Sequence, residues 1–557
     1  MKSKLFFTII LCSAGLCGMT QSYLWAKNLN RSVINKILTD ASGNVFIVGD
    51  LNLTDDFDPG PGIANLTSQG ESDIFMAKYD SNGNYIWAKS MGSDTSDGLN
   101  ELAIDNAGNL YITGTFIDTI DFDPGTGIAN LISIGNPDFF LAKYDNNGNY
   151  IWAKNLEDDS SYVWATGISV DDIGNIYVTG LFIDSVDFDP GPGVFVLAAK
   201  GSTDSFFAKY DSNGIFQWVK SIGGSFTSSE SIEVDNVGNI NITGWFTGTA
   251  DFDPGPDSVF KSNSGTQNIF LAKYDVSGNY LWAITIGDAF NNRSFHVKSD
   301  AVGNCYITGT IQYQTDFDPG PGIYTVYNSS QEIFFAKYDY NGNLAWAKSI
   351  GGAYNDNVKD LALDISGNVY LTGEFNYADF DPGPGTAIMD SNGNSDDIFF
   401  AKYDNNGNYI WAEKLGNTSG DIPRSIYVDG NDNIYLAGQF YYVMDMDLGP
   451  DTAYLNSSGS DAFFAKYSGL PHSPVGIIES NNVPLLLYPN PASDFISVSV
   501  PSNNTYSVDV ISVDGRKVIS LTVSSDRINM DVSLLESGYY LMRVAGDKNY
   551  YSGFLKQ

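Results

Sequence analysis

The sequence predicts an all-β chain: a seven-bladed β-propeller closed by an N-terminal strand and followed by a small Ig-like β-sandwich. Three observations carry that expectation. A motif returns with one period, four strand-like segments fill each period, and the last kind of segment is displaced to the front of the chain. The motif reads Asp-Phe-Asp-Pro-Gly-Pro-Gly at 187–193, with near-copies at 56–62, 121–127, 251–257, 316–322, 379–385 and 445–451. Counted on the residue between the two acids, the copies stand at Phe57, Phe122, Phe188, Phe252, Phe317, Phe380 and Met446, in steps of 63 to 66 residues. A period that regular denotes stacked copies of one supersecondary unit.

From the start of the chain, Met1-Lys2-Ser3-Lys4, an apolar run over 5–16 and small residues up to Ser22 have the layout of a secretory signal peptide. Residues 1–22 are therefore expected to be removed on export through the inner membrane to the periplasm. No other apolar run approaches the roughly 20 residues of a membrane span, so no transmembrane segment is expected. The 557 residues carry 66 Asp and Glu against 29 Lys and Arg, a formal charge of −37. Such a field repels phosphate backbones, which argues against nucleic acid as a partner and favours divalent cations. Beyond residue 22 one cysteine remains, Cys305, in a slot held by Val45, Leu110, Ile176, Ile240, Val369 and Ile434 in the other copies. A buried strand thiol is expected there. Two histidines, His296 and His472, are too few for a multi-histidine zinc centre, and a histidine relay could hardly be assembled from them.

The second copy shows the four segments: 101–105, 109–116, 138–145 and 149–154. They are short, β-branched and aromatic, bounded by Asp, Asn and Gly, which is strand and hairpin chemistry. The last two carry large apolar residues on both faces, as in a sheet covered on each side by a neighbour. Two turns per copy read Asp-x-x-Gly-Asn or nearly so. Asp105, Asp171, Asp235, Asp300 and Asp364 open the first kind; Asp80, Asp145, Asp275, Asp339 and Asp404 open the second. Asp bonds the backbone ahead of it and Gly closes the hairpin with a left-handed residue. An EF-hand would need a third ligand before its Gly and a distal Glu, both missing, so these are turns.

Closure follows from counting. The tryptophan segment occurs at Trp25, Trp87, Trp152, Trp218, Trp282, Trp346 and Trp411; its first copy precedes every other segment and none follows Tyr467. The N-terminal strand must complete the blade that the last repeat leaves open, which removes the free edge. A propeller over 23–469 results, with both Asp-x-x-Gly-Asn turns on one face. The Asp-Phe-Asp-Pro-Gly elements and the loops 91–100, 155–167 and 286–296 decorate the other.

That decorated face is where a ligand is expected. The motif itself reads as a turn, with Pro setting φ, Gly taking positive φ and the central Phe pointing inward. Its paired carboxylates also offer calcium hard oxygen ligands at Asp56 and Asp58, Asp121 and Asp123, Asp187 and Asp189, Asp251 and Asp253, Asp316 and Asp318, and Asp379 and Asp381. Calcium is thus the one cofactor raised. Arg31, Arg293 and Arg424 are each expected in an inter-blade loop of this face, as solvated charges or as part of a ligand surface. Three arginines grip a carboxylate in sialidases, but no Tyr–Glu nucleophile motif accompanies them here. Trp164 is expected to pack under a long loop or to stack on a sugar.

The repeat, written DxFFAKYDxxGNYxWAKxxG followed by xxxDxxGNxYxTGxF, resembles the bacterial secreted β-propeller repeat family over 23–469. After a Pro-, Gly- and Ser-bearing linker at 470–484, short alternating strands begin. Pro489-Asn490-Pro491, Asp514-Gly515, Gly538-Tyr539-Tyr540 and Lys556 stand in the order and spacing of the type A C-terminal sorting domain of the type IX secretion system, which residues 485–557 resemble. The resemblance implies passage across the outer membrane of a Bacteroidota-type bacterium, with the type IX machinery as partner and the cell surface or medium as destination. A monomeric, non-enzymatic propeller for binding, adhesion or scaffolding is the expectation, with a glycan or protein as ligand. The alternative is a carbohydrate-active propeller enzyme, which should break its repeat with unique acids, bases or nucleophiles on one face. The copies as read show only weak asymmetry of that kind.

Overall fold

The computed structural model describes residues 21–133, 137–156, 162–263, 265–287, 290–326, 330–391 and 395–471, and seven stretches of the C-terminal part between 487 and 556. The expected signal peptide, apart from Gln21 and Ser22, and the linker beyond Pro471 lie outside the described residues. The chain divides into two units, Met1–His472 and Ser473–Gln557.

In the first unit the described residues form strands and turns only. Antiparallel sets of four recur along the chain, the first running Val33–Thr39, Val45–Leu51, Asp73–Tyr79 and Tyr85–Met91 in order of pairing. Seven such sets are paired among the described residues. The last holds Ile422–Val428, Ile434–Asp445, Tyr454–Pro471 and, as its fourth strand, Gln21–Asn30. The first strand of each set packs against the first strands of the sets before and after it, and Ile422–Val428 lies against Val33–Thr39, so these strands form a ring. The third strand of most sets is buried along its whole length, as in Asp73–Tyr79 and Asp397–Tyr403. Cys305 is buried in a second strand, as expected.

The repeated residues hold this arrangement together. In the turn at Asp80, Oδ1 accepts the N–H groups of Asn82 and Asn84, while Oδ2 takes the Asn84 amide at 2.8 Å. Gly83 closes it at φ +75°, and a Cβ there would press on the Trp25 ring at 3.1 Å. Trp25 Nε1 donates to Ser81 O at 3.1 Å, as Trp152 does to Ser212, Trp282 to Tyr340 and Trp346 to Asn405. The fourth strand of one set is thereby fastened to the turn of the next. The N-terminal strand makes the same contact as the others.

The central residue of every motif copy is buried, Phe57 through Met446. Above it the tyrosine that ends the third strand donates its hydroxyl to that residue's carbonyl: Tyr79 to Phe57, Tyr144 to Phe122, Tyr210 to Phe188, Tyr274 to Phe252, Tyr338 to Phe317, Tyr403 to Phe380 and Tyr467 to Met446, at 2.9–3.2 Å. Two features of the motif differ from the sequence expectation. It joins a pair of short strands that the sequence did not reveal, such as Thr54–Asp56 with Asn65–Thr67. Its first glycines (Gly60, Gly125, Gly191, Gly255, Gly320, Gly383 and Gly449) keep negative φ. Glycine is needed instead because the second aspartate folds over it: a Cβ on Gly60 would sit 2.9 Å from Asp58 Oδ1, and one on Gly62 would overlap the other oxygen.

In the second unit, Leu487–Tyr488, Phe495–Ser499 and Arg527–Asp531 make one sheet. Lys517–Val523, Tyr506–Ser512, Gly538–Ala545 and Asn549–Lys556 make another. Ile496, Val498, Val508, Val510, Met530, Met542, Val544 and Phe554 share one core drawn from both sheets.

Candidate functional site

Each first strand of the large unit carries one residue more than its partner accommodates. The register slips between Ile34 and Lys36, Leu99 and Glu101, Ala165 and Gly167, Ser229 and Ser231, Ser294 and His296, Val358 and Asp360, and Pro423 and Ser425. A bulge bends its strand and re-aims the side chains it spans. Repeated around the ring, it builds two levels of wall. The skipped residues (Asn35, Asn100, Thr166, Glu230, Phe295, Lys359 and Arg424) line an open chamber of about 720 Å³. The residues after them (Lys36, Glu101, Gly167, Ser231, His296, Asp360 and Ser425) line a narrower throat of about 250 Å³. The chamber lies toward the end of the strands where the motif loops and the connections between sets emerge.

Five of the seven throat residues form one chain of contacts. Lys36 Nζ lies 3.3 Å from Glu101 Oε1 and 3.5 Å from Asp360 Oδ2. Asp360 Oδ1 faces His296 Nδ1 at 3.6 Å, and Oδ2 accepts from Ser425 Oγ at 2.8 Å and from the Ile426 N–H at 3.1 Å. One level deeper, Lys298 and Glu233 pair at 3.0 Å. Burial works against every charge here, and the neighbours decide the outcome. It pulls the Lys36 ammonium down, but Asp360 and Glu101 outweigh it and hold lysine above its ordinary value. It pushes the Glu101 carboxyl up, with Lys36 opposing only in part. At Asp360 burial is outweighed by Lys36 and His296, and the carboxyl is held low. His296 is drawn down by burial to about 4 despite Asp360, so the ring is neutral at neutral pH. Ser425, His296 and Asp360 do not form a nucleophile relay. The serine gives its proton to Asp360, not to His296, and its oxygen accepts the Ile37 N–H.

The residues singled out in the sequence are not gathered as expected. Arg31 is exposed in the bend between Gln21–Asn30 and Val33–Thr39. Arg293 and Arg424 are not in loops: one opens the strand Arg293–Ser299 and the other sits at the bulge of Ile422–Val428. Arg293 lies 4.6 Å over the Trp245 ring and donates to Gln267 Oε1 at 2.7 Å, whereas Arg424 lines the chamber. No three-arginine grip is assembled. Trp164 is not packed under a loop; it stands in the strand Tyr162–Val170, 39% exposed, on the chamber wall.

The motif aspartates serve the backbone first. Asp56 Oδ1 accepts the N–H groups of Asp58 and Ala64, and Asp58 Oδ1 that of Gly60, a pattern repeated in the other copies. No three acidic, histidine or cysteine side chains converge as a metal group among the described residues. The donor set therefore falls short of the six to eight oxygens calcium takes unless carbonyls and water supply most of them. Of the sorting residues, Pro489, Asn490, Pro491, Asp514 and Gly515 lie outside the described residues. Gly538 opens the strand that contains Tyr539 and Tyr540, Tyr540 stacks on Phe554 at 5.7 Å, and Lys556 is buried at the end of the last strand.

The throat was missed, yet it had a signal. Four residues before the Asp of each first turn the copies read Lys, Glu, Gly, Ser, His, Asp and Ser, while the next position holds Ile37, Leu102, Ile168, Ile232, Val297, Leu361 and Ile426. The repeat is broken at the throat position and kept at the one after it.

Comparison with known proteins gives two family matches. Residues 486–555 match the secretion system C-terminal sorting domain, and residues 345–380 and 410–439 match the β-propeller repeat. An uncharacterized WD repeat-containing protein of Acanthamoeba polyphaga mimivirus is 26% identical over 539 residues, covering 80% of this chain and 38% of that protein. The regulatory protein FlaEY of Caulobacter vibrioides is 26% identical over 217 residues, 38% of this chain and 21% of its own length. This chain thus spans less than two fifths of either relative. Among solved structures, the WD40 domain of Neurospora crassa Pan2 aligns over 80% of this chain and 97% of its own at 9% identity, with a TM-score of 0.38. PorZ, a surface component of the type-IX secretion system of Porphyromonas gingivalis, aligns over 94% and 81% at 10% identity, with a TM-score of 0.24.

Proposed function

We propose that this chain, which joins β-propeller repeats to a type IX sorting domain, is a seven-bladed propeller closed by its N-terminal strand, with an Ig-like sorting domain behind it. It leaves the cell by the type IX route and acts at the surface or in the medium as a binding protein, taking its ligand in the chamber above the throat. The observation that carries this reading is the place where the repeat fails. Repeats that share their turns, tyrosines and tryptophans carry different residues at the bulge, and the residues skipped there line one open cavity. Variable side chains on a rigid repeated frame are how such scaffolds acquire a specific ligand.

Export is tested by comparing cells that produce the full chain with cells that produce it without residues 485–557. The full chain is expected to be accessible to added protease on intact cells and the shortened one protected inside. Equal accessibility would overturn the export assignment.

A second reading, a carbohydrate-active enzyme, draws on one observation. Glu101 and Asp360 share Lys36, yet their carboxyls are pushed in opposite directions, the pattern of an acid and a base. A Glu101→Gln variant separates the two: a binding protein keeps its ligand, whereas an enzyme of this kind keeps the ligand and loses turnover.

A further inference from the structure

Given that the chamber is a binding site, we propose that its ligand is an uncharged sugar ring of a glycan, seated on Trp164. Each lysine of the wall is already matched to a carboxylate among the described residues: Lys36 faces Glu101 and Asp360, Lys298 faces Glu233, and Lys359 faces Glu374 at 3.4 Å. Arg424 donates to the neutral Gln439 at 3.2 Å and stands in the field of Asp50. A charged ligand would have to displace one of these partners and leave it desolvated; an uncharged polyol does not. The field of a chain with charge −37 disfavours an anionic ligand further.

The wall also offers an exposed aromatic platform, besides the half-buried Phe295. At the level of Trp164 the other six strands carry Val33, Gly98, Ser228, Arg293, Asn357 and Ile422, so the exposed aromatic face is unique at that height. Tyr162 backs it, with ring centroids 6.0 Å apart. On the same strand and the next, the throat residues are small, Gly167 and Ser231, so the wall below the indole carries little side-chain bulk.

Several polar groups of the chamber offer acceptors. Asn35 spends its amide N–H groups on Asp50 and the Leu99 carbonyl, and Asn100 donates to the Ala165 carbonyl, which leaves their amide oxygens to accept. Glu230 takes Ser228 and Trp245 on Oε1. A ligand with many O–H donors on its rim and a C–H face for the indole fits this wall, and a pyranose has both.

The test is calorimetric titration of the full chain with gluco-, xylo- and manno-oligosaccharides and with acidic oligogalacturonate, at low and high salt. At least one neutral series is expected to bind, with a dissociation constant that changes less than about threefold between the salts. Trp164→Ala should weaken it about tenfold or more, and Trp164→Phe should restore most of the loss. Binding confined to the acidic sugar, or unchanged by Trp164→Ala, would overturn the assignment. Asn100→Trp, which fills the chamber, separates the two levels of inference. A ligand of another class that this variant abolishes refutes the sugar and keeps the chamber, whereas any ligand indifferent to it refutes both.

Discussion

The outer shell of the propeller and the ring at its centre are built by different strands of the same repeat, and they are written in different ways. In the shell, one tyrosine hydroxyl meets one carbonyl in all seven copies, and tryptophan after tryptophan donates to the turn of the next blade. At the throat, the seven equivalent positions hold six different residue types, and five of the seven residues are joined into a single contact chain by Lys36 and Asp360. The difference teaches which residues make the fold and which use it. A contact that recurs seven times contributes seven times to stability, whereas a side chain that appears once can be exchanged without disturbing the frame around it.

The hardest blow to the shell is removal of its shared strand. Deleting Gln21–Asn30 strips the last blade of its outer strand and Ser81 of its tryptophan, and is expected to cost on the order of 5 kcal/mol in urea denaturation. A shortened chain as stable as the full one would separate the first strand from the shell altogether. Next comes a single hydroxyl. Tyr403→Phe leaves the buried Phe380 carbonyl without its donor and should cost about 1–3 kcal/mol by the same measurement.

Between the two regions stand the buried acids that open the first strands. Burial raises Asp356 to about 7 and Asp421 to about 6, so the folded chain holds protons there that the unfolded chain has released. Their contribution is full below about pH 4 and is lost as pH rises through 6 to 7. His296, drawn down to about 4, acts with the opposite sign: its contribution is present above about pH 6.5 and is lost as pH falls toward 4. Asn292 holds the place of Asp356 in the preceding blade, where its Oδ1 accepts the Gln312 N–H. Asp356→Asn should therefore fold and flatten the loss of stability between pH 4.5 and 7 by about 2 kcal/mol. An unchanged slope would mean that the acid is already ionised in the fold.

The throat should matter least to stability. Replacing Lys36, Glu101 and Asp360 together by Ser, the residue already found at Ser231 and Ser425, is expected to shift stability by less than about 1 kcal/mol, less than the one tyrosine hydroxyl. A larger loss would erase the distinction between frame and site. Smallest of all is calcium. Because the motif aspartates already accept backbone N–H groups, melting in calcium and in chelator at matched ionic strength should differ by less than about 2 °C. A rise specific to calcium that shrinks on Asp187→Asn would make the motif an ion site.

The repeated half was readable because period, turn chemistry and segment count are properties of the chain itself. Trp25 was assigned to the last repeat from order alone; in the structure it pairs with Lys466. The site was harder to read for a physical reason. Lys36, His296 and Asp360 are unremarkable polar residues in strands until the bulge turns them to the axis, and a bulge at Asn35 or Phe295 leaves no mark in composition. Arg293 and Arg424 were misplaced for the same reason, since strand residues beside a bulge look like loop residues in the sequence. The glycines of the motif were misread because a side chain folding back over them, as Asp58 does over Gly60, has the same signature as a turn that needs positive φ.

The partnership of the first strand with the last repeat also sets a clock. Asn28 and Asp461 donate and accept across 433 residues of chain, so the ring cannot be locked until nearly the whole propeller has been made. Loop closure over that distance adds little to the equilibrium cost, because the cost grows only with the logarithm of length. It governs the order of events instead: the other sets of four can pair their own strands as they emerge, while the last waits with an open edge. Until then the two ends of the ring stay apart, and the last step of folding is the one that joins Gln21–Asn30 to Tyr454–Pro471.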